Sequence, residues 1–452
     1  MQMNLLIKNG TIVNKGLSFK GSLLIAGDKI AGVYPDAPKG PDMTEPEGTY
    51  RVLDASGLHI FPGVIDDQVH FREPGNTAKA TIASESAAAV LGGVTSFMDM
   101  PNNTPPAVTH RAMEEKYGIA ARDSFANYSF YIGATNDNIE EIANINKTNV
   151  CGVKVFMGSS TGNMLVSDPA ALENIFKYAP VPIAVHCEEE EIVRKNLQEY
   201  TVRYGENIPF EAHPDIRSRE ACIRCTRRAL DLAIKNRSRL HVLHISTAEE
   251  IEMIRQARTV NPGITAEVCV HYLWFCRDDY SRFGSRIKCN PAIKEKSDME
   301  ALRRGVKEGI IQVVATDHAP HLKAEKENPY LKAPSGLPLV QHSLQLMLDL
   351  AAKGIFTLEE VAARMCHGPA ECFNIRRRGY IQEGFFADLV LADLQRPDSD
   401  SPLHPAYKCG WSPFAGHTFG SSIIHTFVNG EQTVENGKLT GAKPGMRLEF
   451  DR

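Results

Sequence analysis

Five side chains that can bind a metal ion or move a proton stand where apolar, strand-like segments end. They are His70, Lys154, His186, His244 and Asp317. A lone histidine at a strand end is most often a hydrogen-bonded structural residue, but here the arrangement recurs along the chain. Imidazoles and carboxylates suit zinc or a similar divalent ion, and a mixed set that leaves a position for water is typical of a catalytic metal site.

The segments that carry these residues predict a barrel. Eight apolar, β-rich segments alternate with helical patterns, which indicates parallel strands buried on both faces. Eight strands close a (β/α)8 barrel of the TIM type, whose chemistry lies at the carboxyl ends of the strands. An open doubly wound sheet is the alternative, but no glycine-rich phosphate loop follows the first strand. The predicted strands are 64–66, 94–99, 128–132, 152–156, 183–186, 240–244, 265–270 and 311–317.

Both ends of the chain predict a second, smaller unit. Short strands with turns at Asn9-Gly10 and Gly27-Asp28 fill the first part of the chain. Strands at 387–391 and 424–430 repeat this style near its end. We therefore expect the two ends to build one β-sandwich domain beside the barrel. The predicted division is 1–58 and 380–452 for the composite β domain, and 59–379 for the barrel.

Composition argues against several classes of protein. The chain has 452 residues, a net charge of −5 and a pI of about 6.3, so no broad basic field points to nucleic acid. The N-terminal segment lacks the pattern of a signal peptide, and no apolar stretch has membrane-spanning length. We expect a cytoplasmic protein with a small-molecule substrate and with neither a nucleic-acid nor a membrane partner.

The ten cysteines also indicate a reducing compartment. They are scattered through apparent strands and helices rather than arranged as a disulfide framework. Cys222 and Cys225 form a Cys-x-x-Cys pair, but it lies in a helical pattern and has no second pair to complete a zinc site. Core packing is the predicted role of this pair.

Lys154 and Asp317 each have two interpretations. A metal would repel an ammonium group, so an inward-facing Lys154 must be deprotonated or modified, for example as a carbamate whose two oxygens bridge two ions. Otherwise its side chain extends from the strand end to solvent. Asp317 can accept a proton from metal-bound water and pass it to a leaving nitrogen, or it can cap the following turn. The residue types alone leave both choices open.

Four motifs resemble those of the dihydroorotases, a family in the amidohydrolase superfamily. They are His70-Phe71-Arg72-Glu73-Pro74-Gly75, residues 100–106 (MPNNTPP), His186-Cys187-Glu188, and residues 315–321 (ATDHAPH) followed by Lys326. The match runs from about residue 60 to 340, and the ATDHAPH stretch is its most specific part. The resemblance implies a zinc enzyme that reversibly cyclises N-carbamoyl-L-aspartate to L-dihydroorotate in pyrimidine biosynthesis.

Carried over position by position, the resemblance also implies a metal site. His70 and Asp317 would bind one zinc ion, His186 and His244 a second, and an N6-carboxylated Lys154 would bridge the two. Asp317 would in addition be the catalytic general acid and base. The residues implied for substrate binding are Arg72, Asn102 and His321 at the α-carboxylate, and Asn290, Ser335 and Gly336 at the ring edge.

One departure from the family pattern concerns the first metal. The family's Asp-x-His-x-His reads Asp66-x-Gln68-x-His70 here. A glutamine carbonyl oxygen is a weaker zinc ligand than an imidazole. Gln68 is therefore an uncertain ligand, and the sequence is compatible with one or two ions per subunit, of which we expect at least one to be tightly held.

Two other functions stay open. Another cyclic amidohydrolase, such as a hydantoinase, dihydropyrimidinase or allantoinase, would share the fold and the bridge, but its substrate lacks the carboxylate that Arg72, Asn102 and His321 would hold. A non-catalytic scaffold that associates with aspartate transcarbamoylase is supported by Gln68 alone.

The resemblance further implies a homodimer. The polar, glycine-containing segment 158–167 is a candidate for a mobile loop that closes over substrate.

Overall fold

The computed structural model describes residues 4–36, 50–158 and 164–452, which form two sheets and the helices packed on them. The strands are β1 Asn4–Asn14, β2 Leu17–Ala26, β3 Lys29–Pro35, β4 Tyr50–Asp54, β5 His59–Pro62, β6 Val64–Val69, β7 Val94–Asp99, β8 Asn127–Gly133, β9 Gly152–Phe156, β10 Ile183–His186, β11 Leu240–Val242, β12 Ile264–Cys269, β13 Val313–Ala315, β14 Leu389–Asp393, β15 Ser422–Val428, β16 Glu431–Glu435 and β17 Lys438–Leu439.

Helices lie between most of the strands of the middle region. They are α1 Ile82–Leu91, α2 His110–Asp123, α3 Ile139–Ala143, α4 Pro169–Tyr178, α5 Glu190–Tyr204, α6 His213–Ile216, α7 Arg219–Asn236, α8 Ala248–Val260, α9 Tyr280–Phe283, α10 Lys296–Lys307, α11 Lys323–Lys326, α12 Ser343–Ala352, α13 Leu358–Ala362 and α14 Gly368–Phe373. Among the described helices, none is both long enough and apolar enough to cross a bilayer.

Strands β6 to β13 pair in parallel and in chain order. Every residue of β6 to β10 is buried, as expected for strands covered on both faces. The first and last strands also meet, because the His70 N–H donates to the carbonyl oxygen of His318 at 2.7 Å. Asp66 strengthens this seam by accepting a hydrogen bond from the Thr316 hydroxyl at 2.6 Å. The predicted (β/α)8 barrel is confirmed.

The two ends of the chain build the other sheet. Its order is β17-β16-β15-β14-β5-β1-β2-β3, and β4 also pairs with β1. The two ends meet at the antiparallel pair β5 and β14, where Ile60 lies opposite Leu391. Apolar side chains from both ends form a core of their own beside the barrel core. The β domain built from both chain ends is confirmed. The residue boundaries at 58, 59, 379 and 380 stay a prediction. Strand β5, at His59–Pro62, belongs to the sheet that the two chain ends build.

One of the two predicted turns near the N-terminus is wrong. The chain does not turn at Asn9-Gly10 but continues as β1, with a register shift against β2 between Ile7 and Gly10. Asn9 takes a φ of 64° at this bulge, a conformation that asparagine tolerates better than most residues. A Cβ on Gly10 would lie 2.4 Å from Ile60 Cδ1, so the bulge lets β5 pack closely. The turn at Gly27-Asp28 is present between β2 and β3.

Side-chain caps fix where the helices after the barrel strands begin. At α1 the Thr81 hydroxyl accepts from the Ser84 N–H at 3.1 Å, and the Ser84 hydroxyl accepts from the Thr81 N–H at 3.0 Å. The helix therefore starts at Ile82. Cys222 and Cys225 are buried on α7, in agreement with their predicted packing role.

Candidate active site

A cavity of about 540 Å³ opens at the carboxyl ends of the barrel strands. Its size suits a small molecule, and its position is where barrel enzymes hold their substrates. Every residue that the sequence singled out as a ligand or a substrate contact lines it. These residues are Gln68, His70, Arg72, Asn102, Lys154, His186, His244, Asn290, Asp317, His321, Ser335 and Gly336.

Two imidazoles face each other on one side of the cavity. His186 ends β10 and His244 follows β11, and His186 Nδ1 lies 3.0 Å from His244 Nε2. Burial lowers the pKa of both rings, so both are neutral at pH 7 and can offer a lone pair. The other nitrogen of His186 lies 3.0 Å from a Glu188 carboxylate oxygen, and Arg217 lies 2.5 Å from that same oxygen. A carboxylate behind an imidazole is the usual device that orients a metal-binding histidine.

Asp317 lies between His70 and Gln68 across the barrel seam. Its Oδ1 is 3.0 Å from His70 Nε2 and accepts a hydrogen bond from the Gln68 amide nitrogen at 3.2 Å. Burial raises the pKa of Asp317, but His70 and the neighbouring imidazoles outweigh burial and lower it to about 2. Asp317 is therefore a carboxylate at neutral pH. The sequence also left open that Asp317 caps the following turn. Thr316 caps that turn instead, because its hydroxyl accepts a hydrogen bond from the His318 N–H at 3.0 Å.

Lys154 projects into the cavity from β9 and does not reach solvent. Its side chain is 1% exposed, and Nζ lies 4.7 Å from the centre of the Phe156 ring. Burial lowers the pKa of Lys154 to about 8, although Asp317 and Glu267 act in the opposite direction. A substantial fraction of this amine is therefore neutral near physiological pH. We call His70, Lys154, His186, His244 and Asp317 the metal half of the cavity.

Cationic and imidazole groups line the other side. The Arg72 guanidinium lies 3.2 Å from His321 Nε2, and Lys79 Nζ lies 3.1 Å from His321 Nδ1. Burial, with Arg72 and Lys79 beside it, lowers the pKa of His321, so its ring is neutral between the two cations. The sequence analysis did not identify Lys79 as a residue of the site. Its positive charge and its position between the Arg72 motif and the first barrel helix were the signal that could have identified it. We call Arg72, Lys79 and His321 the anion half.

Loops complete the rim of the cavity. Asn102 Oδ1 lies 2.7 Å from His70 Nδ1, and Asn290 Oδ1 is buried without a hydrogen bond within the described part of the chain. Lys326, on α11, donates to the carbonyl oxygens of Pro334 at 2.8 Å and Gly336 at 3.0 Å. This lysine therefore holds the rim loop in place from behind. Gly336 has a φ of 140°, and a Cβ there would lie 2.5 Å from Ala319 O, so the loop requires glycine.

Three residues of the site adopt left-handed backbone conformations. The φ angles are 65° at Arg72, 37° at His244 and 50° at Asp317. Such angles are uncommon for residues other than glycine and cost about 1–3 kcal/mol each where they occur. The surrounding structure must hold them in place, and backbone strain of this kind gathers at functional sites. Sequence patterns carried no signal for it.

The predicted mobile segment 158–167 lies only partly within the described residues. Residues 159–163 fall outside them. Beyond that gap Met164 lines the cavity, and the Val166 N–H donates to Phe156 O at 3.0 Å. Closure of this segment over a substrate stays a prediction.

The barrel with polar and ionisable side chains gathered at its mouth is the arrangement that barrel enzymes use. A model of the amidohydrolase family matches residues 59–433. The sequence is 31% identical over 450 residues to an allantoinase of Solibacter usitatus, covering 98% of this chain and 96% of that one. It is 32% identical over 465 residues to a dihydroorotase of Methanosarcina acetivorans, covering 98% and 94%.

A solved structure agrees with these sequence matches. The L-hydantoinase (dihydropyrimidinase) of Arthrobacter aurescens superposes with a TM-score of 0.93 at 26% identity, over 99% of this chain and 100% of that one. The chain belongs to the amidohydrolase family, among the cyclic amidohydrolases.

Proposed function

We propose that the protein is a zinc-dependent dihydroorotase, which interconverts N-carbamoyl-L-aspartate and L-dihydroorotate in pyrimidine biosynthesis. The observation that carries this proposal is the anion half, which lies in the same cavity as the metal half. Among the described residues, no carboxylate lies within ion-pair distance of the half-buried Arg72. A guanidinium in that position favours an anionic ligand, and L-dihydroorotate carries a carboxylate.

The metal half fits zinc. The facing nitrogens of His186 and His244 and the oxygen of Asp317 are of the types that zinc binds, and so would be the carbamate oxygens of an N6-carboxylated Lys154. We propose one tightly held ion at His186, His244 and Lys154, and a weaker position at His70 and Asp317. A bound zinc ion would polarise the reacting carbonyl and lower the pKa of its water. Gln68 turns its amide nitrogen toward Asp317, which supports a weak first position.

Lys154 would bridge these positions as its N6-carboxylated form. Addition of CO2 to the neutral amine forms an N–C bond and releases one proton, which converts a neutral group into an anion. The support for this proposal is the burial of Lys154 beside four groups of the metal half, where an ammonium ion is poorly solvated.

Asp317 is the proton carrier of the proposed reaction. In the ring-opening direction it accepts a proton from water and delivers it to the ring nitrogen that leaves. In the cyclisation direction it removes a proton from the carbamoyl nitrogen. Its low pKa supports this role, because the group must start ring opening as a carboxylate.

Substrate orientation is assigned to the rim. Arg72, Asn102 and His321 would hold the α-carboxylate, and Asn102 would use its amide nitrogen because its oxygen faces His70. Asn290 and the loop 335–336 would contact the ring edge. The buried Asn290 oxygen, which accepts no hydrogen bond within the described chain, suits a ring N–H.

A second candidate is a cyclic amidohydrolase for uncharged rings, because relatives of comparable identity are named allantoinase and L-hydantoinase. The test is ring opening of L-dihydroorotate, dihydrouracil, hydantoin and allantoin by the zinc-loaded protein. We expect kcat/KM for L-dihydroorotate to exceed the others by at least about a hundredfold. Turnover of the uncharged rings alone would overturn the proposal, and turnover of none would favour the scaffold that associates with aspartate transcarbamoylase.

We also propose that the protein is cytoplasmic and forms a homodimer. The ten cysteines are all free, which supports a reducing compartment. Size-exclusion chromatography with light scattering tests the dimer directly.

A further inference from the structure

A second cluster of ligand-type side chains lies inside the barrel, outside the cavity lining. It consists of Asp67 on β6, His241 on β11 and Glu267 on β12. His241 Nε2 is 3.0 Å from Asp67 Oδ2 and 3.5 Å from Glu267 Oε2, and one ligand atom from each residue lies within 4.8 Å of the other two. We call these three residues the inner triad.

Several atoms of the inner triad lack the hydrogen bonds that buried polar atoms require. Both carboxylate oxygens of Asp67, Nε2 of His241 and Oε2 of Glu267 are buried and make no hydrogen bond with the described residues. The close approach of His241 to the two carboxylates therefore lacks hydrogen-bond geometry. Four buried atoms without a hydrogen bond among the described residues indicate that a further group, such as an ion, a water molecule or a proton on His241, completes the cluster.

The two distances from His241 suit a divalent metal ion. Ligand atoms bound at about 2.1 Å in tetrahedral or octahedral geometry lie about 3.0–3.4 Å apart. The two contacts of His241, at 3.0 and 3.5 Å, are close to this range. One imidazole and two carboxylates are ligands for zinc and similar first-row ions, and two negative charges balance one divalent cation in a buried site.

The surroundings hold each group in a fixed orientation. The other nitrogen of His241 is 2.7 Å from the Thr265 hydroxyl, which leaves Nε2 directed at the carboxylates. Glu267 Oε1 accepts a hydrogen bond from the His244 N–H at 3.0 Å, which leaves Oε2 directed at His241. The ring of Phe373 packs against His241 with centres 5.1 Å apart and adds an apolar wall.

We propose that the inner triad binds a divalent metal ion of the zinc type, separate from any ion at the mouth. This ion would tie β6 to β11 and β12 across the barrel interior. It would also connect to the mouth, since Glu267 holds the backbone of His244. The alternative to a metal ion is a protonated His241 that pairs with the two carboxylates. Burial lowers the pKa of His241, but Asp67 and Glu267 outweigh burial and raise it to about 9. The proposal does not depend on which ring the enzyme opens.

The test is the zinc content of protein that is loaded with zinc and then desalted. A variant with both His186→Asn and His244→Asn removes the mouth imidazoles, and we expect it to retain about one equivalent per chain. Adding Asp67→Asn should lower this to less than about 0.2 equivalents. The matched control is Asp66→Asn. Asp66 is buried and precedes Asp67 in the chain, but it accepts a hydrogen bond from Thr316 and is not part of the inner triad. Burial raises the pKa of Asp66 to about 8. This control should keep its zinc.

Crystals of the zinc-loaded wild-type protein decide the question if a variant fails to fold. Anomalous maps above and below the zinc edge should show a peak among Asp67, His241 and Glu267. A peak at the mouth without one at the triad would overturn the proposal, and so would equal zinc contents with and without Asp67→Asn. A peak at the triad alone would support it while counting against the proposed reaction, so the two proposals fail separately.

Discussion

The metal half and the anion half of the cavity are built from different parts of the barrel. Four residues of the metal half stand at or just after the ends of β6, β10, β11 and β13, whereas Lys154, which the sequence placed at a strand end, lies in the middle of β9. Residues of the anion half stand on the loops that follow β6 and β13. Strands fix side chains more precisely than loops do. The difference supports the proposal that the barrel positions the reacting groups and that the loops select the substrate.

This division fits the names of the relatives. Proteins similar over nearly the whole chain are called allantoinase, dihydroorotase and L-hydantoinase. A shared barrel with different loops can account for a common chemistry on different rings. Variants in the two halves should therefore have different kinetic signatures.

Asp317→Asn tests the metal half and should have the largest effect. The amide keeps the size of the side chain but cannot accept and return a proton. We expect kcat for L-dihydroorotate to fall by about a thousandfold while KM changes little. Steady-state kinetics with zinc analysis of the same sample measures this. Unchanged turnover, or turnover lost only together with the zinc, would contradict the proton-carrier role.

Arg72→Met tests the anion half. Loss of a charge-assisted hydrogen bond costs about 1.5–3 kcal/mol, which corresponds to about a 10- to 150-fold rise in KM for L-dihydroorotate. The rate of opening of an uncharged ring should stay the same, because that ring has no carboxylate to lose. Arg72→Lys keeps the charge without the planar fork and should lie between the two. An equal loss on charged and uncharged rings would show that Arg72 is structural.

Lys79→Met should give the smallest effect. Lys79 already forms an ion pair with Glu325 at 2.9 Å, so less of its charge is available to a ligand. We expect KM for L-dihydroorotate to rise about three- to fivefold at constant kcat, which is about 1 kcal/mol or less. Lys408→Met is the matched control, because Lys408 contacts the nearby Thr77 carbonyl but does not line the cavity. Equal effects of the two variants would remove Lys79 from the anion half.

Buried apolar segments made the barrel predictable. Strands β7, β9 and β10 begin and end where the sequence placed them, because continuous burial gives continuous apolar runs. The polar residues at the strand ends then followed from the geometry of a closed barrel. The convergence of these residues on one cavity could be predicted without knowing any side-chain contact.

Features that depend on long-range packing could not be predicted in this way. The bulge at Asn9 looked like a turn because asparagine-glycine is a turn signal, whereas the packing of Ile60 decides the outcome. The inner triad joins three strands, and its members look like ordinary strand residues in the sequence. The orientation of Gln68 toward Asp317 also depends on residues far apart in the chain.

The seam between β6 and β13 has a consequence for biosynthesis of the enzyme. Gln68 and Asp317 meet across it although 249 positions separate them in the chain. A ribosome must therefore finish the last barrel strand before Asp317 can reach Gln68 and His70. Chains that terminate before β13 should therefore lack the complete cavity, because one wall of it is made by residues that follow this strand.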